Sequence, residues 1–149
     1  MLTGQDRGQT REVFFRAWRA HREGRPLEGV EKLIVQVALR HPEYHPVLEQ
    51  SEAARERDYF PEAGETNPFL HLGMHIAIEE QLSIDQPPGI RGLYQKLLSR
   101  YPDEHAVQHH MMECLGEMLW HAGRAGTAPD PQLYLTCLAR ASGLPGSAG

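Results

Sequence analysis

At 149 residues, 40% hydrophobic and 23% charged, the chain is long enough to bury a core without disulfide or metal staples. Its net charge of −5, with basic residues scattered, gives no clustered face for phosphate backbones, so no nucleic-acid partner is expected. No apolar run approaches the ~18 residues of a membrane span, and the N-terminus lacks an apolar signal core. The expectation is therefore one cytoplasmic domain over 1–149 with no membrane partner, with loose segments at 1–9 and 143–149.

Apolar spacings of three and four residues recur along the chain and strict alternation is absent, which predicts an all-α fold, a compact bundle of five to six helices. Thr10 reads as the cap of a helix over 11–23, with Val13, Phe14, Ala17, Trp18 and His21 on one side and Gly24 ending it. Pro26 suits the opening of a second helix, on whose apolar face lie Leu27, Val30, Ile34, Val37, Ala38 and, at its end, His41. A short polar helix is expected at 51–57. Asn67 then caps a helix over 68–83, Gln86-Pro87-Pro88-Gly89 breaks the pattern, and another helix runs to about Arg100. Asp103 caps a helix over 104–122, closed by Gly123 and Gly126, and Asp130-Pro131 opens the last. Cys114 and Cys137 make no close-spaced pair and fall on apolar helix faces, where inert buried thiols are the ordinary reading.

The spacing His-x3-His-x3-Glu occurs three times, at His41/His45/Glu49, His71/His75/Glu79 and His105/His109/Glu113. On a helix, a step of four residues climbs about 6 Å and turns only about 40°, so an unbroken copy lines two imidazoles and a carboxylate along one face. In the 68–83 helix that stripe lies between Ile78 and Leu82 on one side and Leu72 and Ile76 on the other, with Gly73 and Glu80 toward water. A carboxylate in such surroundings needs a partner or a metal, because burying it unpaired costs many kcal/mol. In the 104–122 helix, His105, His109 and Glu113 share the side with Gly116 and Trp120, and His110, Glu117 and His121 fill the next sector. The first stripe is preferred because it repeats the earlier spacing, with Glu117 as a further ligand that swings in. His110 and His121 read as solvated, and His21 as a helix-end histidine. Pro42 and Pro46 break the first copy: Pro46 biases His45 toward extended backbone, Glu49 falls on the surface, and His41, at the end of the second helix, is placed to reach the core site ahead of His45.

At Asn67-Pro68-Phe69-Leu70-His71-Leu72, Ala77-Ile78-Glu79-Glu80-Gln81 and Met112-Glu113-Cys114-Leu115-Gly116-Glu117 the sequence resembles a family of small proteobacterial proteins catalogued as a domain of unknown function. His41-Pro42-Glu43-Tyr44-His45-Pro46 and Asp103-Glu104-His105 also look like its recurrent motifs, and the resemblance runs from Arg11 to Arg140. It implies a bacterial protein and marks these motifs as functional, without an activity. A looser similarity is to hemerythrin-like and ferritin-like bundles, which hold two metals between helices. The Glu-x-x-His pairs of the ferritin-like proteins are not intact at the favoured stripe, however, and no His-x4-Asp of the hemerythrin type occurs. That likeness is one of chemistry.

With the helices running up, down, up, the two intact stripes sit level, and each spans about 12 Å, room for two metals about 3.5–4 Å apart. The expected ligands are His71, His75, Glu79, His105, His109 and Glu113, with His41 and Glu117 as helpers. Imidazole with carboxylate favours iron, then zinc, with manganese third. The reading is thus a metal-binding helical protein with a dinuclear centre, acting on dioxygen or an unidentified small molecule, as an oxygen-dependent oxidoreductase or a metal-dependent hydrolase. Homo-oligomerisation is left open. The competing reading is a metal-free interaction or structural module whose buried His/Glu layer specifies packing.

Overall fold

The computed structural model describes residues 4–143, with side chains from Gly8 onward. The expected loose segments thus lie partly outside the described residues, at 1–3 and 144–149. The described residues are all-α. Their helices are α1 (Gly4–Arg22), α2 (Val30–Leu39), α3 (His45–Glu49), α4 (Ser51–Ala54), α5 (Pro68–Ile84), α6 (Ile90–Leu98), α7 (Glu104–Ala125) and α8 (Pro131–Ala141), with 3-10 turns at Pro42–Tyr44 and Pro61–Ala63. They gather into two compact units, Met1–Ile76 and Ala77–Gly149, and α5 runs through the division.

In the first unit α1 starts six residues ahead of the expected Thr10 cap. Gly8 explains the extension. It is buried against the segment after α4, where a Cβ would meet Glu56 Oε1 at 2.7 Å, so tertiary packing carries the helix past its local stop signal. Arg11 is buried and donates to the carbonyls of Ala54 (3.0 Å), Arg55 (3.2 Å) and Arg57 (2.8 Å), satisfying the end of α4. Its guanidinium also lies 4.6 Å from the Phe69 ring centroid and 5.6 Å from that of Tyr59. Phe14 and Phe15 meet Phe69 edge to face, at 5.8 and 5.6 Å between centroids. With Trp18, Ile34, Val37, Leu48 and Leu72 they form the core of this unit.

Pro26 does not open α2, which begins at Val30 after Gly29 at φ 57°. The segment before it closes instead through Glu28 N–H, which donates to Glu31 Oε1 at 3.0 Å. The helix ends at Leu39, so His41 stands two residues beyond the helix whose end it was expected to occupy, at the head of the 3-10 turn. His45 corrects a second expectation: its backbone is helical (φ −58°, ψ −42°) despite the following proline. Pro46 sits in the first turn of α3, where a missing N–H costs nothing, and the His45 ring is tied down on both sides. Its Nε2–H donates to the Ala38 carbonyl at 2.7 Å, and it stacks against Trp18 with centroids 4.3 Å apart.

In the second unit, Asp103 Oδ1 accepts from Ala106 N–H at 2.8 Å to start α7, and Asp130 Oδ1 accepts from Gln132 N–H at 3.0 Å to start α8. Gly123 stays inside α7. Gly126 at φ 68° ends it, since only there does the chain need the left-handed turn that glycine allows. Between α5 and α6, the Asp85 carboxylate accepts from Arg91 N–H at 3.0 Å, while the Arg91 side chain donates to Leu82 O at 2.6 Å and Ser83 O at 2.5 Å. Ile90, Leu97, Val107, Met111, Leu115, Tyr134 and Leu138 are buried on α6, α7 and α8. α8 folds back along α7 and is bonded to it: Cys114 and Cys137 form a disulfide, with Cα atoms 5.7 Å apart. The inert thiols expected from the sequence are therefore corrected. A separation of 23 residues gives no spacing signal, and only the return of α8 brings the two together.

Candidate functional site

The first unit assembles three histidines from two parts of the chain. His71 and His75 come from consecutive turns of α5, a helix fixed at its start by Asn67 Oδ1, which accepts from Phe69 N–H at 2.9 Å and Leu70 N–H at 3.1 Å. His41 comes from the junction of α2 and the 3-10 turn. The ring centroids form a near-equilateral triangle, 5.0 Å for His41–His71, 4.7 Å for His41–His75 and 5.0 Å for His71–His75. His75 is 0% exposed and His41 1%, while His71 is half-buried. A ligand nitrogen of His41 lies within 4.8 Å of one of His75.

The hydrogen bonding of His41 distinguishes its two ring nitrogens. Nδ1 lies 2.9 Å from the Val37 carbonyl, and a carbonyl can only accept, so Nδ1 carries the proton. In the neutral ring Nε2 then holds the lone pair, and this Nε2, like that of His75, is buried. An Nδ1–H bond to a backbone carbonyl is the arrangement that orients imidazoles on metals. Tyr44 completes the cluster. Its ring stacks on His41 with centroids 5.5 Å apart and meets His71 edge-on at 5.8 Å. Burial, and then the charge of Glu43, push its phenol above the ordinary value, so the ring stays neutral beside the histidines.

The second unit holds the other predicted ligands. His105 and His109 lie one turn apart on α7, their rings inclined at 59° with centroids 4.1 Å apart and ligand nitrogens within 4.8 Å. His105 is half-buried and His109 exposed. Glu79, on the last turns of α5, accepts from Gln108 Nε2 at 2.7 Å. Glu113 is not gathered with His105 and His109: its side chain is 77% exposed and approaches His110 Nδ1 at 3.3 Å. Glu117 likewise turns elsewhere, 3.9 Å from His121 Nε2 and 3.8 Å from the sulfur of Cys137. The reason is geometric. Residues 109 and 113 are separated by about 40° on the helix, and 110 and 113 by about 60° on the other side, so a long carboxylate can choose either neighbour.

The remaining members of the first repeat serve structure. His45 ties α3 to the end of α2, and Glu49 accepts from Trp18 Nε1 at 3.2 Å and pairs with Arg22 at 3.5 Å. His21 lies 5.2 Å from the Trp18 ring in the last turn of α1. Two participants carried no weight in the sequence reading. Gln108 is 1% exposed, and its one signal was position: a polar residue between Leu115 and Met112 around the apolar side of α7. Tyr44 lies between the prolines of the interrupted repeat, where no helical periodicity applies.

No curated protein and no solved structure matches this chain significantly. A family model does match residues 6–140, the span that contains every candidate ligand above. The chain belongs to the family described as a domain of unknown function, DUF1841.

Proposed function

We propose that this chain is a transition-metal-binding helical protein, with the dinuclear iron or zinc centre anticipated from the two ladders as its fullest form. The observation that carries the reading is the His41/His71/His75 triangle, two of whose members are buried, with the His41 proton held on Nδ1 by Val37. Three imidazoles at one place are an expensive way to fill a core, and neutral nitrogen donors suit zinc, iron, copper and nickel. In the second unit His105 and His109 are a donor pair of their own, while Glu79 faces Gln108, Glu113 faces His110 and Glu117 faces His121. Carboxylate ligation is what would favour iron and manganese over zinc. Since Glu79 accepts from Gln108 and Glu113 lies beside His110, zinc and iron stand level in this proposal and manganese behind them. The reaction class follows the metal: oxygen chemistry with iron, water activation with zinc.

The test is metal analysis of untagged protein, as isolated and after anaerobic reconstitution, with an optical spectrum. Stoichiometric iron or zinc that His41→Ala and His75→Ala each remove supports the reading. Less than about a tenth of an equivalent of any transition metal overturns it and leaves the buried histidines as a packing layer.

A further inference from the structure

A second set of ligand side chains lies along a different stripe of α7. His110, Cys114, Glu117 and His121 recur at intervals of four, three and four residues, which places them on one face. Cys137 reaches that face from α8. His110 Nε2 is 3.9 Å from the Cys114 sulfur, and Glu117 Oε2 is 3.8 Å from the Cys137 sulfur. A disulfide sulfur has no proton to donate, so the Glu117 carboxylate borders the Cys137 sulfur without a hydrogen bond, and the His110 imidazole borders the Cys114 sulfur. Glu113 Oε2 stands 3.3 Å from the far nitrogen of His110. A carboxylate there keeps the proton on Nδ1 and the lone pair on Nε2, on the sulfur side. His110, Glu117 and Cys137 also line a surface cavity of about 650 Å³ beside Thr136 and Arg140, so small solutes reach the cluster from the Cys137 side, with Cys114 buried behind it.

We propose that Cys114, Cys137, His110 and Glu117 form a redox-gated zinc site, closed as the disulfide and able to take the ion once reduced. Four ligands of the types Cys, Cys, His and Glu are a complete tetrahedral zinc set. With Zn–S near 2.3 Å and Zn–N or Zn–O near 2.0–2.2 Å, adjacent sulfur and nitrogen or oxygen donors stand about 3.5–3.6 Å apart. The two such edges already present are within a few tenths of an ångström of that. Opening proceeds by exchange: a dithiol reductant attacks the S–S bond as a thiolate and leaves as its own disulfide. Its two electrons and two protons end on Cys114 and Cys137 as thiols. Zinc then displaces both protons to water and binds the thiolates. Reducing surroundings therefore favour the metal and oxidising surroundings the disulfide.

The experiment uses the whole chain, stripped of metal, in oxidised form and after reduction by a phosphine, which leaves as its oxide with oxygen from water. Each form is titrated with zinc and, separately, with cobalt. The reduced protein is expected to take about one further equivalent, and its cobalt form to show a thiolate-to-metal charge-transfer band absent from the oxidised protein. His110→Ala and Glu117→Gln, which leave both cysteines in place, should weaken that increment at least about tenfold. His75→Ala should leave it intact, which separates this site from the imidazole cluster of the first unit. Equal metal uptake in both redox states, a cobalt spectrum without the band, or an increment unchanged in the His110→Ala/Glu117→Gln double variant overturns the proposal. Unfolding on reduction that zinc reverses supports it, and unfolding that zinc does not reverse overturns it.

Discussion

His41 Nδ1 donates to the Val37 carbonyl at 2.9 Å, whereas His45, four residues on, donates from Nε2 to the Ala38 carbonyl at 2.7 Å. The two histidines of one sequence repeat thus present opposite nitrogens to the same helix end. His41 keeps its lone pair on a buried Nε2, while His45 spends its Nε2 on structure. His41→Ala should lower metal affinity at least about 100-fold, and His45→Ala should leave it within about threefold while costing about 1 kcal/mol of stability. Chelator competition and urea unfolding read the two effects separately.

Gln108 holds the Glu79 carboxylate at 2.7 Å from a position 1% exposed. Gln108→Leu should destabilise the protein by about 1–3 kcal/mol, since it removes a buried donor from a carboxylate. Gln108→Glu should cost more above the carboxylate pKa range than below it, because it sets two anions side by side. Urea midpoints at neutral and acid pH check the sign. A loss that does not depend on pH would contradict the contact.

Arg11 serves three carbonyls at once from Nη1, and its guanidinium lies against the Phe69 and Tyr59 rings. Arg11→Ala should cost about 3 kcal/mol, and Arg11→Lys should recover less than half of it, because an ammonium on a shorter stem loses the planar group that lies against Phe69 and Tyr59. Equilibrium unfolding followed by Trp18 fluorescence measures both.

The disulfide closes a loop across a separation of 23 residues. On the chain-entropy account its reduction should cost about 3 kcal/mol. Thermal unfolding with and without a phosphine reductant measures this, and Cys114→Ser/Cys137→Ser should match the reduced metal-free protein.

Asp85 predicts one feature of the acid limb. The Arg91 amide, the largest influence, prevails over the desolvation that opposes it and, with lesser help from the Gly89 amide and the Arg91 charge, holds its carboxyl below the ordinary value. A lowered folded pKa means stability that is present above the unfolded value of about 3.9 and lost as pH falls through the folded one. Asp85→Asn should therefore make unfolding less steep in that acid window and change nothing in its slope near neutral pH. An unchanged acid limb in the variant would exclude the assignment.

Helix content, the caps Asn67, Asp103 and Asp130 and the His71/His75 ladder were legible in the sequence, because each rests on contacts within one or two turns. Periodicity, a side-chain cap and a proline at a first turn are local quantities. The same locality explains the misplaced helix starts. Gly8 is buried by the segment after α4 and Pro26 is bypassed by a Glu31 contact, and neither competitor is visible to a window that slides along the chain.

Tertiary structure alone decided which repeated residues work together. The three His-x3-His-x3-Glu copies share one spacing, yet His45 is drawn to a helix end, Glu49 to Trp18 and Glu113 to His110. A side chain's reach of a few ångströms spans neighbouring stripes of one helix, so spacing lists the candidates and the packing partner selects among them. The pairing of Cys114 with Cys137 and the meeting of His41 with His71 and His75 have the same cause. Each needs a chain reversal that brings distant segments into contact, and no local pattern encodes which reversal occurs.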